Sequence, residues 1–374
     1  MPPITPGLPP LPRLITYYQT HHDPTGAHIS VLPLLTQPGI RLSHLILAAI
    51  HLNSCPGDIT LNDHPPSHPC YTTLWAELRV LQASGVRVLG MLGGAAKGTF
   101  TRLDYPGPDP DPDPDQFEAY YQPLAALVRA RALDGLDLDV EEPMSLPGML
   151  RLVDRLRGDF GPGFLITLAP VAAALLDARH NLSGFDYRAL EAARGPDIAW
   201  YHAQFYCGWG DGSSPLMYHA ILARGWLRPE KLVVGLVTNP ENGAGFVPWH
   251  LVANVLPLLV RRHPGFGGVM GWEYFNALPG GRERPWEWAR YMTGFLRGEE
   301  VMLEDVLKLS REEGGMGEAP AGNAAQVVVE EAASHGKAAE VDEDPDEPAV
   351  GDTPVPEAFE YYSDASEEVP GTQK

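Results

Sequence analysis

Three regularly spaced carboxylates lie in residues 136–141, where apolar and acidic side chains alternate. A period of two is typical of a β-strand, whose successive side chains point to opposite faces. Asp137, Asp139 and Glu141 are therefore predicted to share one face, with residues two apart separated by roughly 6.5–7 Å. Burial and like charge both oppose ionisation, so at least one of these carboxyls is expected to keep its proton near neutral pH. A protonated carboxyl beside ionised ones suits an acid catalyst.

Two other interpretations of this acidic row remain open from the residues alone. An exposed edge strand would solvate the acids, although Asp is disfavoured in strands and three in register need a reason. A cradle for magnesium, calcium or manganese would need further acidic or histidine ligands from neighbouring strands. We expect neither a metal ion nor a cofactor at this row.

The acidic stretch lies within a regular alternation of strands and helices. Apolar runs predict strands at 14–19, 42–51, 86–92, 164–170, 198–206, 231–237 and 267–272, in addition to the alternating strand at 136–141. Helical spacing of apolar residues predicts helices at 71–84, 116–132, 146–159, 187–193, 218–224, 247–263 and 285–296.

This alternation predicts an α/β protein whose parallel strands close into a (β/α)8 TIM barrel. The chemistry of such barrels lies at the carboxyl ends of the strands. Glu141, Tyr206 and Trp272 are all predicted at strand ends, so the acidic row is expected to open at the mouth of the barrel.

Charge divides the chain into two parts. Residues 299–374 contain 21 acidic and 4 basic residues and carry −17 of the formal net charge of −21. Their composition predicts a disordered acidic tail. The expected organisation is a proline-rich arm at 1–12, the barrel at 13–298 and this tail. The nearly neutral barrel has no basic surface suited to nucleic acid.

Several features bear on the compartment and the partners. The sequence contains no apolar run long enough for a transmembrane helix, and its first residues are too rich in proline for a signal peptide. Three cysteines, Cys55, Cys70 and Cys207, agree with a reducing compartment. We therefore expect a cytoplasmic monomer that binds neither nucleic acid nor membrane.

Residues 134–141, DGLDLDVE, resemble the active-site motif of glycoside hydrolase family 18, which contains chitinases and endo-β-N-acetylglucosaminidases. Three further motifs resemble elements of this family. Leu92-Gly93-Gly94 resembles its glycine pair after the third strand, Gln204-Phe205-Tyr206 resembles its sixth-strand element, and Gly271-Trp272 resembles its eighth-strand tryptophan. Residues 12–296 are most similar to filamentous-fungal endo-β-N-acetylglucosaminidases. Val140 and Cys207 depart from the pattern of many chitinases.

The resemblance implies hydrolysis with retention, in which the substrate's own 2-acetamido group replaces a carboxylate nucleophile. It implies that Glu141 is the general acid and base, that Asp139 holds the acetamide N–H, and that Asp137 shares a proton with Asp139. Tyr206 would hydrogen-bond the acetamide carbonyl oxygen.

The same resemblance implies the residues that bind the sugar. Trp272 would form an apolar floor under the ring, and Gln204, Gly93 and Gly94 would also contact substrate. The expected substrate is an N-glycan, cut at the β-1,4 bond between its two core GlcNAc units. A chitinase acting on GlcNAc polymers and a non-catalytic carbohydrate-binding lectin with the same barrel are the alternatives.

Overall fold

A computed structural model describes residues 11–104 and 114–298 of the chain. The predicted acidic tail and all but the last two residues of the predicted N-terminal arm lie outside these ranges. All of the described residues fall within Met1–Met316, the first of two units into which the chain divides.

The strands of the described residues form one sheet. They are β1 Arg13–Tyr18, β2 His44–Leu52, β3 Ile59–Leu61, β4 Arg87–Gly93, β5 Gly135–Asp139, β6 Leu165–Leu168, β7 Trp200–Gln204, β8 Leu232–Val237 and β9 Gly268–Trp272. All except β3 pair in parallel in the order β1, β2, β4, β5, β6, β7, β8, β9, and β9 pairs with β1. This closure confirms the predicted (β/α)8 barrel.

Helices follow the strands around the outside. They are α1 Pro33–Thr36, α2 Thr72–Ala83, α3 Thr99–Leu103, α4 Pro114–Ala130, α5 Leu146–Phe160, α6 Tyr187–Arg194, α7 Leu216–Ala223, α8 Trp249–Arg262 and α9 Glu287–Arg297. Short 3-10 helices lie at Pro69–Tyr71, Ala172–Leu175, Ala178–His180, Gly195–Asp197, Pro229–Lys231 and Pro240–Asn242.

Local sequence signals set the bounds of α5, the helix that follows the acidic strand. The Ser145 hydroxyl caps its first turn by accepting a hydrogen bond from the Gly148 N–H at 3.1 Å. Pro147 lies in the first turn, where a missing N–H costs nothing. Gly161 follows the helix with a φ of 73°, a conformation that glycine adopts without strain.

Several details differ from the sequence-based prediction. Helices α1 and α3 were not predicted, and β7, which was predicted to reach Tyr206, ends at Gln204. The short strand β3, which pairs antiparallel with β2, was not predicted because three residues give too little periodicity to recognise. The acidic strand was predicted to run to Glu141, but β5 ends at Asp139, where its ladder with β4 ends at the pair of Gly93 and Asp139. Glu141 therefore lies just beyond the strand.

The barrel has two apolar layers. Leu136, Leu138 and Val140 belong to the larger cluster between sheet and helices, on the face opposite the acids, as predicted. A smaller cluster fills the interior and includes Tyr17 and Trp200. Within the described residues, no helix combines the length and apolarity needed to cross a bilayer.

Candidate active site

A buried acid on β5 anchors the row inside the barrel. Asp137 has no exposed surface and accepts hydrogen bonds from the Tyr17 hydroxyl at 2.5 Å and the Thr167 hydroxyl at 2.6 Å. Tyr17 lies on β1, which is not a neighbour of β5 in the sheet, so this contact crosses the interior. The acidic row therefore points inward, as its alternation predicts.

Burial perturbs the ionisation of all three acids. It raises the pKa of Asp137 to about 6, although the hydrogen bonds from Thr167 and Tyr17 act in the opposite direction. Burial, followed by the charges of Glu141 and Asp137, holds the pKa of Asp139 well above its usual range. Burial also raises the pKa of Glu141. The directions agree with the expectation of a retained proton in the row.

Glu141 differs from the other two acids in its access to solvent. Asp137 and Asp139 are buried, whereas Glu141 is only partly buried and lies past the end of β5. It is therefore the member of the row that an external molecule reaches. A carboxyl with a raised pKa at such a position can donate a proton to a bound molecule.

The Gln204 side chain joins the two outer acids. Its amide nitrogen lies 3.2 Å from Oε1 of Glu141, 3.4 Å from Oδ1 of Asp139 and 3.0 Å from the carbonyl oxygen of Ala169. Donation to Glu141 lowers the pKa of this carboxyl and partly offsets the effect of burial. The structure thus places Gln204 against the carboxylates; its contact with a substrate stays a prediction.

Tyr206 lies beside the same acids. It is buried, and its pKa is held well above the usual range by burial and then by the charges of Asp139 and Glu141. The part of the chain that the structure describes supplies no hydrogen-bond partner for its hydroxyl. A neutral phenol of this kind can donate a hydrogen bond to a ligand next to the acidic row.

Trp272 closes the interior at the end of β9. Its ring lies edge-on to Tyr17, with centroids 5.4 Å apart, and is only partly buried. The next residue, Glu273, accepts hydrogen bonds from the backbone N–H groups of Gln19 and Thr20 at 2.9 and 2.8 Å. These bonds tie the end of β9 to the end of β1, beside the contact of Trp272 with Tyr17.

The glycine pair after β4 lies against the acidic strand. Gly93 and Gly94 both have φ near 93°, and the Gly94 N–H donates to the Asp139 carbonyl at 2.9 Å. A Cβ on Gly93 would lie 2.3 Å from the Phe100 ring and 2.6 Å from the Asp139 carbonyl oxygen. The pair thus permits close packing beside Asp139, while its contact with a substrate remains a prediction.

Two acids near the row have structural partners. Asp134 accepts hydrogen bonds from Arg87 and from the backbone N–H of Val88, both at the start of β4. Glu142 accepts two backbone N–H groups, from Gly98 and Phe100, at the beginning of α3. Asp134 joins two strands and Glu142 caps a helix, so neither belongs to the row.

The environment of the row favours proton transfer over metal binding. Tyr17, Thr167 and Gln204 direct hydrogen-bond donors at oxygens of Asp137, Asp139 and Glu141. A hard cation would need these oxygens ionised and free to coordinate. These donors already occupy oxygens of the row, so the donor set fits a metal cradle poorly.

Two solved structures are similar over most of the chain. A fungal endo-beta-N-acetylglucosaminidase from glycosyl hydrolase family 18 is 49% identical, with a TM-score of 0.73 and coverage of 78% of this chain and 100% of that chain. A chitinase, ChiC, from Aspergillus fumigatus is 56% identical, with a TM-score of 0.68 and coverage of 75% and 98%. The chain belongs to glycoside hydrolase family 18.

A curated relative is consistent with this family 18 assignment. Chitinase 2 from Rhizopus oligosporus is 28% identical over 243 residues, which is 62% of this chain. The match spans only 42% of the length of that relative. No protein-family model matches the chain.

Sequence reasoning missed three side chains that support the row in this family 18 barrel. Tyr17 and Thr167 hydrogen-bond Asp137, and Nε2 of His202 lies 3.6 Å from Oδ1 of the same acid. Burial holds the pKa of His202 well below its usual range. A partial signal for these three residues was present in the sequence, because each lies on the face of its strand that points into the barrel.

Proposed function

We propose that this chain is a retaining endo-glycosidase that cleaves the β-1,4 bond between two GlcNAc units by substrate-assisted catalysis. The observation that carries the proposal is the position of Glu141, a partly exposed carboxyl of raised pKa joined to buried Asp139 through Gln204. Family membership supports the same reaction class, because family 18 glycosidases use the substrate in place of a second catalytic carboxylate.

The residues divide the reaction into two steps. In the first, the Glu141 carboxyl protonates the leaving glycosidic oxygen while the acetamide oxygen attacks the anomeric carbon, which breaks the glycosidic bond and forms an oxazolinium ion. Asp139 accepts a hydrogen bond from the acetamide N–H, and Tyr206 donates one to the acetamide oxygen. Orientation of an internal nucleophile can be worth several kcal/mol, on the order of the effective molarities of intramolecular reactions.

In the second step the Glu141 carboxylate removes a proton from water, which attacks the anomeric carbon from the face that the leaving group occupied. The acetamide oxygen departs and the configuration is retained. Tyr17 and Thr167 hydrogen-bond Asp137, which lies two residues before Asp139 on the same face of β5. Trp272 supports the apolar face of the sugar ring.

The proposed substrate is the chitobiose core of an N-glycan. This choice draws on the 49% identical neighbour, which is an endo-beta-N-acetylglucosaminidase. The 56% identical neighbour is described as a chitinase, which favours a second candidate: hydrolysis of GlcNAc polymers at the same site. Both functions would use the same three acids. They differ only in the groups attached to the two GlcNAc units on either side of the scissile bond.

A comparison of two substrates tests the proposal. The full chain is incubated with a high-mannose glycoprotein and, separately, with chitin oligomers, and the products are resolved by mass spectrometry. Release of the glycan with one GlcNAc left on the protein supports the first candidate, whereas cleavage of the polymer alone supports the second. Glu141→Gln is the negative control. If the unsubstituted chain binds the substrates but cleaves neither of them, a lectin is favoured.

A further inference from the structure

A cluster of two histidines and one cysteine lies on the surface away from the acidic row. His64, His68 and Cys70 each offer one donor atom, and these three atoms all lie within 4.8 Å of one another. We call these three residues the His-Cys cluster. Both histidines are exposed and Cys70 is partly buried, so the cluster is open to ions from solvent.

The backbone around the cluster is held by contacts outside it. The Leu61 N–H donates to the His64 carbonyl at 2.8 Å, and the His68 N–H donates to the Pro65 carbonyl at 2.8 Å. The Trp75 indole donates to the Pro66 carbonyl, also at 2.8 Å. Prolines in this segment further restrict the chain. The three donors are therefore brought together before any ion binds.

The three side chains of the cluster contact one another. The imidazole rings of His64 and His68 stack with centroids 4.4 Å apart and an interplanar angle of 18°. Nδ1 of His68 lies 2.9 Å from Sγ of Cys70. A metal ion lies in the plane of each imidazole that ligates it, so at least one of the two rings must turn out of this stack when both bind one ion.

The donor set indicates the class of ion. Imidazole nitrogen and thiolate sulfur together favour a borderline-soft divalent cation over magnesium or calcium, which prefer oxygen. With Zn–N near 2.0–2.1 Å and Zn–S near 2.3 Å, tetrahedral coordination would separate the donors by about 3.4–3.6 Å. We propose that His64, His68 and Cys70 bind one divalent cation of the zinc class, with water as the fourth ligand.

The site occupies a defined place in the fold. His64 follows β3, and Cys70 lies in the 3-10 helix Pro69–Tyr71 that leads into α2. An ion at this point would link the end of the β2–β3 pair to the start of α2 and so restrict the segment between them. The proposed site does not include Asp137, Asp139 or Glu141. The proposal does not depend on the catalytic roles assigned to those residues.

Proton release gives the site a pH dependence. A cysteine thiol that is not bound to a metal ordinarily keeps its proton at neutral pH. The metal ligand is the thiolate, and binding must therefore release the thiol proton to solvent. Affinity for the cation is expected to increase as the pH rises.

The test uses the full chain stripped with a chelator and then dialysed. Zinc is titrated by calorimetry, and cobalt is added separately because thiolate ligation gives a charge-transfer absorption in the near ultraviolet. Cys70→Ser and His64→Ala remove ligands, and Cys55→Ser is the matched control because Cys55 is an exposed cysteine outside the cluster. Melting of each metal-free variant checks that it folds.

We expect the unsubstituted chain and Cys55→Ser to bind one zinc ion and to show the cobalt–thiolate band. Cys70→Ser should lose this band, and each ligand variant should bind zinc at least about 10-fold more weakly, since even indirect supports of a metal ligand carry effects of this size. The proposal is overturned if zinc at micromolar concentration does not bind at one to one, or if Cys70→Ser and His64→Ala bind it as the control does.

Discussion

The Gln204 side-chain amide donates a hydrogen bond of 3.2 Å to the Glu141 carboxylate and connects it with Asp139. A donor aimed at a carboxylate stabilises the ionised form, and this bond lowers the pKa of Glu141 against the raising effect of burial. The amide therefore sets how readily the proposed acid releases its proton.

Loss of this amide is expected to shift the pH profile. In Gln204→Leu the pKa of Glu141 rises further, so the alkaline limb of kcat/KM, where the acid loses its proton, moves to higher pH. The measurement is a pH–rate profile on the better substrate. Gln122→Leu is the control, because Gln122 makes the same kind of bond to Glu118 on the surface, at 2.6 Å. An unshifted limb would contradict the assigned role of Gln204.

Adjacent glutamates should respond in opposite ways to the same substitution. Glu141→Gln is expected to lower turnover by about 10²–10⁴-fold, the usual contribution of general acid–base catalysis, with little loss of stability. Glu142→Gln weakens charge-assisted bonds to the Gly98 and Phe100 N–H groups. It should cost about 1.5–3 kcal/mol of unfolding free energy and retain turnover.

Denaturant unfolding and single-substrate kinetics on both variants check this pair. An active Glu141→Gln enzyme would remove Glu141 from the role of acid. An inactive but stable Glu142→Gln enzyme would indicate that Glu142, and not Glu141, is the acid.

Stability should depend on pH through Asp137. Its pKa is about 6 in the folded chain against an ordinary value of 3.8, so the folded state binds this proton more tightly than the unfolded state. The contribution of Asp137 to unfolding free energy therefore falls as the pH rises from about 4 to about 6, by about 3 kcal/mol, and is level above that. The measurement is the difference between wild type and Asp137→Asn across this range, and a difference independent of pH would contradict it.

A methyl group on Gly93 should disturb the acidic strand. Gly93→Ala combines a φ of 93° with a Cβ only 2.6 Å from the Asp139 carbonyl oxygen, so Asp139 must shift. We expect a loss of more than about 2 kcal/mol of stability together with a fall in kcat. Gly26→Ala is the control, since Gly26 has a similar φ of 83° and nothing within 4 Å of the added atom. Equal effects of both substitutions would exclude packing against Asp139 as the cause.

Chelation should leave hydrolysis intact. The acidic row has donors on its oxygens and the His-Cys cluster lies elsewhere, so removal of zinc is expected to lower thermal stability and to leave kcat unchanged. Melting and turnover are measured on the same chelated sample. Loss of turnover that zinc restores would place a metal in the reaction and contradict the substrate-assisted mechanism.

Much of this architecture follows from local patterns. The alternation in residues 136–141 placed Asp137 and Asp139 on one face and Leu136 and Leu138 on the other, and the apolar runs on either side of it predicted the barrel. These signals suffice because backbone geometry alone sets the periods of strands and helices. The short β3 was missed because three residues carry too little of either period.

The sequence by itself determined which acids share a face, the order of strands and helices, and the family that the motifs resemble. Only the tertiary structure decided that β5 stops at Asp139, that Tyr17 reaches Asp137 across the interior, and that Gln204 joins Glu141 to Asp139. The reason is that these contacts join residues 63 to 120 positions apart. Such contacts, and the burial that raises the pKa of each acid, exist only once the barrel has closed.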